Sequence, residues 1–368
     1  MKRKVLIAGA SGLVGLAAAK HFASLPGWEV AGVSRRRPEG ISGAEFISLD
    51  LLDSDACGAA MADLGDVTHL VYAALHEIPG LMPGWLDDEV IEKNGAMLRN
   101  LFEPLAASAR GLQHVTLLHG TKAYGIHHPS LGVRGLRVPL KERDPRRHHH
   151  NFYWVQEEYL RAKQEAGATW GLTTFRPTVI YGDATGANMN PALPIGAYAA
   201  LLKEAGEPLH FPGRSLATWV HEAVDADLVA RAIAWAAEEP RAWGEAYNLT
   251  NGDVFTWSQA WEAVAEAMEM PVGEHRPISF VNDLPKRQAE WSALVAKYGL
   301  RGPKDLVEFA GYNSLVYCDV MVGAERRGEF PALNSTIKAR QHGFHDCMDT
   351  EDMFRTIFWR LRAERVLP

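Results

Sequence analysis

The first half of the chain alternates short apolar runs with longer amphipathic stretches. The stretches Leu16–Ser24 and Glu89–Ala109 carry apolar residues at helical spacing. The short runs are mostly apolar at every position, which is the pattern of strands covered by helices on both faces. They are Lys4–Ala8, Glu29–Val33, Glu45–Leu49, His69–Ala73, His114–His119 and Gly171–Phe175. Strands that alternate with helices predict an α/β fold built on a Rossmann-type, doubly wound parallel sheet.

The pattern changes after Gly182. Pro, Gly and aromatic residues crowd positions 183–220, and a helix near Asp225–Glu238 and a strand at Glu245–Leu249 follow. The remainder, from Thr256 onward, is helical and rich in tryptophan. We therefore expect the chain to return to the sheet once before it builds a second, helical unit.

The length supports two units, since 368 residues with 47% hydrophobic residues are many for one domain. We predict a Rossmann domain over 1–182, with 215–250 returning to it. A smaller, mostly helical lobe of 183–214 and 251–368 is expected to close over the carboxyl edge of the sheet and to bind the substrate.

Composition excludes several classes of function. A net charge of -7 argues against a nucleic-acid partner. The three cysteines, Cys57, Cys318 and Cys347, are scattered without metal-ligand spacing, so we expect no metal and a reducing, cytoplasmic location. No run approaches the roughly 18 apolar residues of a membrane-spanning helix, and we interpret the apolar start of the chain as a first strand, not a targeting segment. The apolar helical lobe leaves a homodimer open.

A glycine-rich loop follows the first strand and opens a helix. Its residues are Gly9, Ala10, Ser11, Gly12, Leu13, Val14 and Gly15. The three glycines suit a tight turn, a close approach of backbone to a pyrophosphate, and a contact between helix and strand. The loop predicts a dinucleotide-binding site.

The residues after the second strand indicate whether the cofactor is NADH or NADPH. An NAD enzyme places an acidic residue there for the ribose hydroxyls, whereas this chain has Ser34, Arg35 and Arg36. Arginine complements a 2′-phosphate, so NADPH is favoured over NADH. After the third and fourth strands, Asp50 and Leu51 suit the adenine edge, and the small run Ala73, Ala74 and Leu75 lets backbone lie along the cofactor.

The candidate chemistry centres on Tyr153. A phenol with an ordinary pKa near 10 is a poor proton donor unless a nearby cation lowers that value. The lysine that usually follows such a tyrosine by four residues is replaced by Glu157, and the best substitute is Lys122, which comes after an apolar strand.

Together with Arg176-Pro177-Thr178 and the run Asn248–Phe255, these motifs resemble the progesterone 5β-reductase/iridoid synthase-like enzymes over essentially the whole chain. That family belongs to the atypical extended short-chain dehydrogenases. The resemblance implies that NADPH delivers hydride to the β-carbon of an α,β-unsaturated carbonyl compound. It also implies that Tyr153 stabilises the resulting enolate, that Lys122 lowers the pKa of Tyr153 and holds the nicotinamide ribose, and that Phe152 packs beneath the site.

The chain departs from the family's plant members at a few positions. Trp154 stands where they usually have a second tyrosine, Leu75 where they have tryptophan, and Leu118-His119 where they have glutamine-threonine. These differences bear on the identity of the substrate more than on the type of reaction.

Further residues are expected around the nicotinamide and the substrate. Pro177, Thr178 and Val179 would pass the nicotinamide, and His119 would either bond the cofactor or substrate or serve structure alone. Met189 and Trp219 are expected in the substrate pocket, because ligands sit at the carboxyl edge of such sheets. The tract His148–His150 lies in a basic, Pro-containing segment and is interpreted as a solvated loop, not a zinc site.

Three other functions stay open. A nucleotide-sugar epimerase-like enzyme on this fold would want an acidic residue in place of Arg35 and a lysine in place of Glu157. A carbonyl 1,2-reductase would use the same tyrosine to protonate an alkoxide. A non-catalytic NADP-sensing protein needs the glycine loop but has no use for a placed tyrosine and lysine.

Overall fold

The structure, a computed structural model, describes residues 3–38, 41–131, 135–213, 218–323 and 332–368. The strands are β1 Arg3–Ala8, β2 Trp28–Ser34, β3 Ala44–Ser48, β4 His69–Tyr72, β5 His114–Leu118, β6 Gly171–Pro177, β7 Ile180–Tyr181, β8 Leu209–Phe211, β9 Val220–His221, β10 Val224–Asp225, β11 Ala246–Leu249, β12 Phe255–Thr256 and β13 Val272–His275. The helices are α1 Leu13–Ser24, α2 Ser54–Ala62, α3 Asp88–Ser108, α4 Phe152–Glu165, α5 Ala192–Glu204, α6 Ala226–Glu238, α7 Trp257–Ala267, α8 Phe280–Asp283, α9 Gln288–Tyr298, α10 Leu306–Ala310, α11 Tyr312–Cys318, α12 Ile337–Gln341 and α13 Thr350–Ala363.

A seven-stranded sheet in the order β11-β6-β5-β4-β1-β2-β3 forms the centre of the molecule. Every pair of neighbouring strands in it is parallel. The six apolar runs became β1 to β6, and the strand predicted at Glu245–Leu249 joins the edge as β11. The predicted fold class is therefore confirmed.

Helices cover both faces of the sheet because its strands are apolar on both sides. On one face α1 packs against α6, and Val5, Ile7 and Phe175 of the sheet lie in the same apolar cluster. On the other face α2, α3 and α4 pack in succession over a cluster that contains Leu6 and Val115. Strand residues that alternate between the two clusters fix which face each strand presents to which helices.

Side-chain caps set where several helices begin. Asp87 accepts a hydrogen bond from the N–H of Val90 at the start of α3, and Asp225 accepts from Asp227 and Leu228 at the start of α6. Asn151 accepts from the N–H of Tyr153 at 3.0 Å and starts α4. This last cap fixes the first turn of the helix that carries the candidate tyrosine.

A second apolar core lies beyond the sheet and is built by α5, α7, α9, α10, α11 and α13. Trp257, Trp261 and Trp291 are each 1% exposed within it, so these tryptophans belong to the core, as predicted, and not to a pocket. The cluster draws its members from residues 181–367, which is consistent with a helical lobe; the domain boundaries given above stay a prediction. Among the helices of the described residues, none combines the length and hydropathy that a membrane-crossing segment requires.

Candidate active site

A cavity of about 660 Å³ opens at the carboxyl ends of β1, β2, β4, β5 and β6. This is the edge at which parallel α/β sheets bind ligands. Most of the residues singled out from the sequence line it. They are Gly9, Ser11, Gly12, Leu13, Val14, Ser34, Arg35, Arg36, Asp50, Leu51, Ala73, Ala74, Leu75, His119, Lys122, Phe152, Tyr153, Pro177, Thr178, Val179 and Met189.

Two of the predicted site residues lie elsewhere. Gly15 is buried in the first turn of α1, where it serves packing and not the cavity surface. Trp219 is half-buried and lies outside the set of described residues that line the cavity.

The glycine loop folds so tightly that side chains are excluded. Gly9 has φ +84°, and a Cβ there would lie 2.8 Å from the backbone carbonyl carbon of Ala73 on the neighbouring strand end. A Cβ on Gly15 would lie 2.1 Å from the Gly9 carbonyl oxygen. Gly12 caps α1 without any side-chain hydrogen bond, so the first N–H groups of the helix face the cavity unblocked. This arrangement fits a pyrophosphate, which backbone N–H groups and the helix dipole attract.

The end of β2 presents two exposed guanidinium groups at one end of the cavity. Arg36 reaches across to donate a hydrogen bond to the carbonyl of Gly186 at 2.7 Å, and the Ser34 hydroxyl donates to the carbonyl of Arg36 at 2.7 Å. Among the described residues, no carboxylate forms an ion pair with Arg35 or Arg36. Asp50 is exposed beside them and accepts a hydrogen bond from the N–H of Leu52.

Tyr153 lies on the first turn of α4 with its ring in the cavity wall. The imidazole of His119 stacks on it, with ring centroids 4.4 Å apart and planes inclined by 11°. A Cβ at Gly120 would lie 3.0 Å from the Tyr153 hydroxyl, so the absence of a side chain there lets the hydroxyl lie against the end of β5. Burial raises the pKa of Tyr153, and the nearby carboxylate of Glu77 raises it further, so the phenol is neutral at physiological pH.

Lys122 stands in a 3-10 turn at Thr121–Tyr124, immediately after β5. Its side chain is 12% exposed, and its Nζ lies 4.3 Å from the ring centroid of Trp85, 5.3 Å from that of Phe152 and 5.5 Å from that of Tyr153. Burial lowers the pKa of Lys122 to about 8, against the opposing attraction of the Glu77 carboxylate. The ammonium and the phenol therefore share one enclosed, largely apolar space.

Glu157, which occupies the position where a lysine would commonly follow the tyrosine, points away from this space. Its Oε1 accepts from Arg161 at 2.8 Å, and it lines a separate cavity of about 240 Å³ with Arg146 and Arg176. Its Oε2 lies 3.8 Å from His119 Nδ1. Glu157 thus cannot support Tyr153 as a lysine would, and the only ammonium near the phenol in the described residues is that of Lys122.

His119 is fully enclosed, and neither ring nitrogen has a hydrogen-bond partner among the described residues. Burial lowers its pKa well below the ordinary value, and the cation of Arg176 lowers it further. The imidazole is therefore neutral. Its ring stacks on Tyr153, which holds the phenol ring from one side, and makes an edge contact with Trp154.

Two backbone groups at Thr178 and Val179, which line the cavity, form hydrogen bonds within the fold. The N–H of Thr178 donates to the carbonyl of Leu249 at 3.0 Å, and the carbonyl of Val179 accepts from Val224 at 2.9 Å. Met189 enters the cavity from a left-handed conformation with φ +55°, which is unusual for a residue with a side chain. The side chain of Asn190 fixes that turn by donating to the Gly182 carbonyl at 2.9 Å.

The structure adds residues that sequence reasoning passed over. His76, Met82, Trp85, Ile126, His127, Glu222, Tyr317 and Met321 also line the cavity, and Glu77 lies directly behind it. His76 and Glu77 come two and three residues after Ala74. The expectation that residues after a strand line the site therefore identified the correct segment but ended at Leu75. Tyr317 and Met321 belong to the helical lobe, where no sequence motif distinguishes a cavity residue from a core residue.

The chain is similar to known proteins over most of its length. The model of the PRISE-like Rossmann-fold domain family matches residues 51–368. An (S)-8-oxocitronellyl enol synthase of Camptotheca acuminata is 31% identical over 99% of this chain and 93% of its own length. A 3-oxo-Delta(4,5)-steroid 5-beta-reductase of Arabidopsis thaliana is 32% identical over 99% of this chain and 92% of its own length.

Solved structures support the fold at lower identity. A UDP-glucose 4-epimerase of Thermus thermophilus, solved in complex with NAD, is 18% identical and superposes with a TM-score of 0.63 over 98% of this chain and 99% of that one. The family resemblance drawn from the motifs is confirmed by the match of the family model and by the full-length relatives. The chain belongs to the PRISE-like Rossmann-fold domain family.

Proposed function

We propose that the protein is an NADPH-dependent reductase of the activated C=C bond of α,β-unsaturated carbonyl compounds. The observation that carries the proposal is that a neutral phenol and a buried ammonium, those of Tyr153 and Lys122, share the cavity that the glycine loop opens into. Relatives over the full length include a steroid 5-beta-reductase.

The cofactor proposal depends on the loop and on the two arginines. When bound, NADPH supplies the hydride. The first N–H groups of α1 would hold its pyrophosphate, and Arg35 and Arg36, which have no carboxylate partner among the described residues, would receive the 2′-phosphate. Asp50 and Leu51 would lie at the adenine, and Ala73 to Leu75 along the chain of the cofactor.

Addition of hydride at the β-carbon of an enone places negative charge on the carbonyl oxygen. A hydrogen bond from the Tyr153 hydroxyl to that oxygen grows stronger as the charge develops, so it stabilises the transition state more than the ground state. The ammonium of Lys122 favours the same charge through space. Stacking by His119 and edge contact by Phe152, whose ring centroid is 4.5 Å from that of Tyr153, hold the phenol in place.

The first test measures product as well as turnover. NADPH consumption is followed with 2-cyclohexen-1-one, and the product is identified by gas chromatography and mass spectrometry. Cyclohexanone supports conjugate reduction. Cyclohexenol would make the protein a carbonyl 1,2-reductase, and tight NADPH binding without turnover across a panel of cyclic, steroidal and terpenoid enones would contradict the enzymatic proposal.

Matched variants separate the two roles. Tyr153→Phe should lower kcat by about 10²- to 10⁴-fold, the usual contribution of a positioned acid, while Tyr159→Phe, on the same helix but bonded to Glu103 at the surface, should not.

Arg35→Ala and Arg36→Ala should each weaken NADPH binding by roughly tenfold or more and leave NADH binding nearly unchanged, because a hydrogen bond to a charged group is lost. Arg37→Ala is the control, since Arg37 lies outside the cavity lining and over the Phe46 ring.

A further inference from the structure

Lys122 lies in an enclosed site, with its side chain 12% exposed, and such a site favours the neutral form of a lysine. Removing an ammonium from water costs several kcal/mol, whereas a cation over an aromatic face recovers only about 0.5–2 kcal/mol. The contacts with the rings of Trp85, Phe152 and Tyr153 are therefore too weak to offset the cost of burying the Lys122 ammonium. Within the described part of the chain, the carboxylate that forms an ion pair with the Lys122 ammonium is that of Glu77, with 3.8 Å between Nζ and Oε1.

Glu77 is held in place by two anchors. The Trp85 indole N–H donates to its Oε1 at 3.2 Å. The backbone of the preceding residue, His76, is clamped by the side chain of Asn94 on α3, which accepts from the His76 N–H at 2.8 Å and donates to the His76 carbonyl at 2.9 Å. Asn94 is fully buried. The carboxylate, itself 1% exposed, is thus set at a fixed distance from the lysine.

The distance matters because 3.8 Å is too long for a hydrogen bond but short enough for a strong Coulomb attraction. The Lys122 Nζ has no hydrogen-bond partner among the described residues. No acceptor of the described residues therefore takes any of its three N–H donors, while the carboxylate lies close enough to support the charge. A carboxylate in direct contact would have taken one of those donors.

We propose that Glu77 is a positioning residue that keeps Lys122 protonated and leaves its donors free for the bound cofactor and the reacting tyrosine. The inference deepens the proposed function, since it rests on the role given there to the Lys122 charge. Trp85 takes part in both halves of the arrangement, because it bonds Glu77 through its N–H and faces Lys122 with its ring.

Other titratable groups near Lys122 do not supply the charge. Burial lowers the pKa of His127 to about 3, so that imidazole is neutral. Burial also lowers the pKa of His149, whose Nε2 lies 3.2 Å from the Lys122 carbonyl oxygen, and Tyr153 on α4 has a raised pKa and is neutral. The balance at Lys122 is therefore between burial and Glu77. Burial also raises the pKa of Glu77, against the opposing effects of the Lys122 ammonium and the Trp85 hydrogen bond.

The test uses Glu77→Gln, which keeps an oxygen acceptor for Trp85 and removes only the charge. The protein is labelled with ¹³C,¹⁵N-lysine, and the Lys122 signal is assigned by its absence in Lys122→Arg and then titrated between pH 5 and pH 11. We expect the protonation constant of Lys122 to fall at least about tenfold in Glu77→Gln, because an opposite charge at this range supports the charged form by that much or more. Glu157→Gln is the control, since that buried carboxylate faces His119 and Arg161, and it should leave the Lys122 titration unchanged.

A second readout is the pH dependence of kcat/KM for NADPH, which reports ionisations of the free enzyme. Its alkaline limb should move to lower pH in Glu77→Gln, whereas a purely structural defect would lower the profile without moving it. Glu77→Asp, which keeps the charge at a longer distance, should titrate between the two and replaces the Gln variant if that variant does not fold.

An unchanged Lys122 titration in Glu77→Gln would overturn the inference. The lysine titration needs no substrate, so its outcome is independent of the proposed reaction. A Lys122 that depends on Glu77 in a protein that reduces no enone would sink the proposed function and keep the present inference.

Discussion

We expect Lys122 to have opposite effects on activity and on stability. Its charge supports the proposed reaction, whereas its burial lowers the free energy of unfolding. Its pKa is about 8 in the folded protein against an ordinary 10.5. A lysine whose folded pKa is depressed opposes folding, and this cost is present in full below the folded pKa and disappears as pH rises through the unfolded value. The folded and ordinary pKa values differ by about 2.5, and one pKa unit corresponds to 1.36 kcal/mol, so the charged lysine lowers the free energy of unfolding by about 3 kcal/mol.

The cost is measured by replacing the lysine after the carboxylate has been neutralised. In a Glu77→Gln background, Lys122→Met keeps a flexible chain against Trp85 and leaves no unpaired carboxylate. We expect the double variant to be more stable than Glu77→Gln by at least about 3 kcal/mol at pH 7, since Lys122 is less well supported once Glu77 is neutral. With an unfolding entropy of about 2.1 cal/mol/K per residue over 368 residues, this corresponds to a rise in Tm of roughly 4 °C.

Thermal and denaturant unfolding at pH 7 and pH 10 provide the assay. The gain should shrink to under about 1 kcal/mol at pH 10, where the unfolded lysine has lost part of its charge as well. Lys286→Met in the same background is the control, because Lys286 is 71% exposed, and it should change stability by less than about 0.5 kcal/mol at either pH. A double variant that is no more stable at pH 7, or a gain that persists at pH 10, would refute the reasoning.

Two further predictions concern the cavity. In the wild-type protein, kcat/KM for NADPH should fall as pH rises through about 8, because Lys122 then loses its proton; initial rates between pH 6 and pH 9.5 check this, and a rate that increases through that range contradicts it. Gly9→Ala should abolish measurable NADPH binding and cost about 1–3 kcal/mol of stability, since its Cβ would meet the Ala73 backbone at 2.8 Å. Gly58→Ala, in α2 with nothing within 4 Å of the added Cβ, should be neutral or stabilise by up to about 1 kcal/mol; cofactor titration and melting curves of both variants decide.

Most of the sheet was predictable because strands such as β1, β4 and β6 are buried on two faces and so carry mostly apolar runs. The first residue of α1 could not be predicted from the apolar pattern. The periodic pattern begins at Leu16, whereas the helix begins at Leu13, because the glycine loop itself forms the first turn. Pattern analysis cannot distinguish loop from helix where glycines dominate, since they carry no side chains to show a period.

Site residues that belong to a known motif could be predicted from the sequence. Site residues in a segment without motif or periodicity could not. The glycine loop and the arginines after β2 follow from known requirements of nucleotide binding. Glu77 lies in a connection between β4 and α3, with no periodicity and no spacing rule to distinguish it from a surface carboxylate. Only the three-dimensional placement of Asn94 and Trp85 shows that this carboxylate is buried and directed at a lysine.

The position of the ammonium also changes what controls it. A lysine four residues after the tyrosine would share a helix with it, so one element would set both groups. Here the phenol comes from α4 and the ammonium from the turn after β5, while the carboxylate comes from the segment after β4. Three segments must keep their places for the arrangement to exist, and each of them also contributes to the wall of the cavity, through Tyr153, Lys122 and Trp85. Substitutions in that wall can therefore alter substrate preference and the charge of Lys122 together, which a lysine on the tyrosine's own helix would not allow.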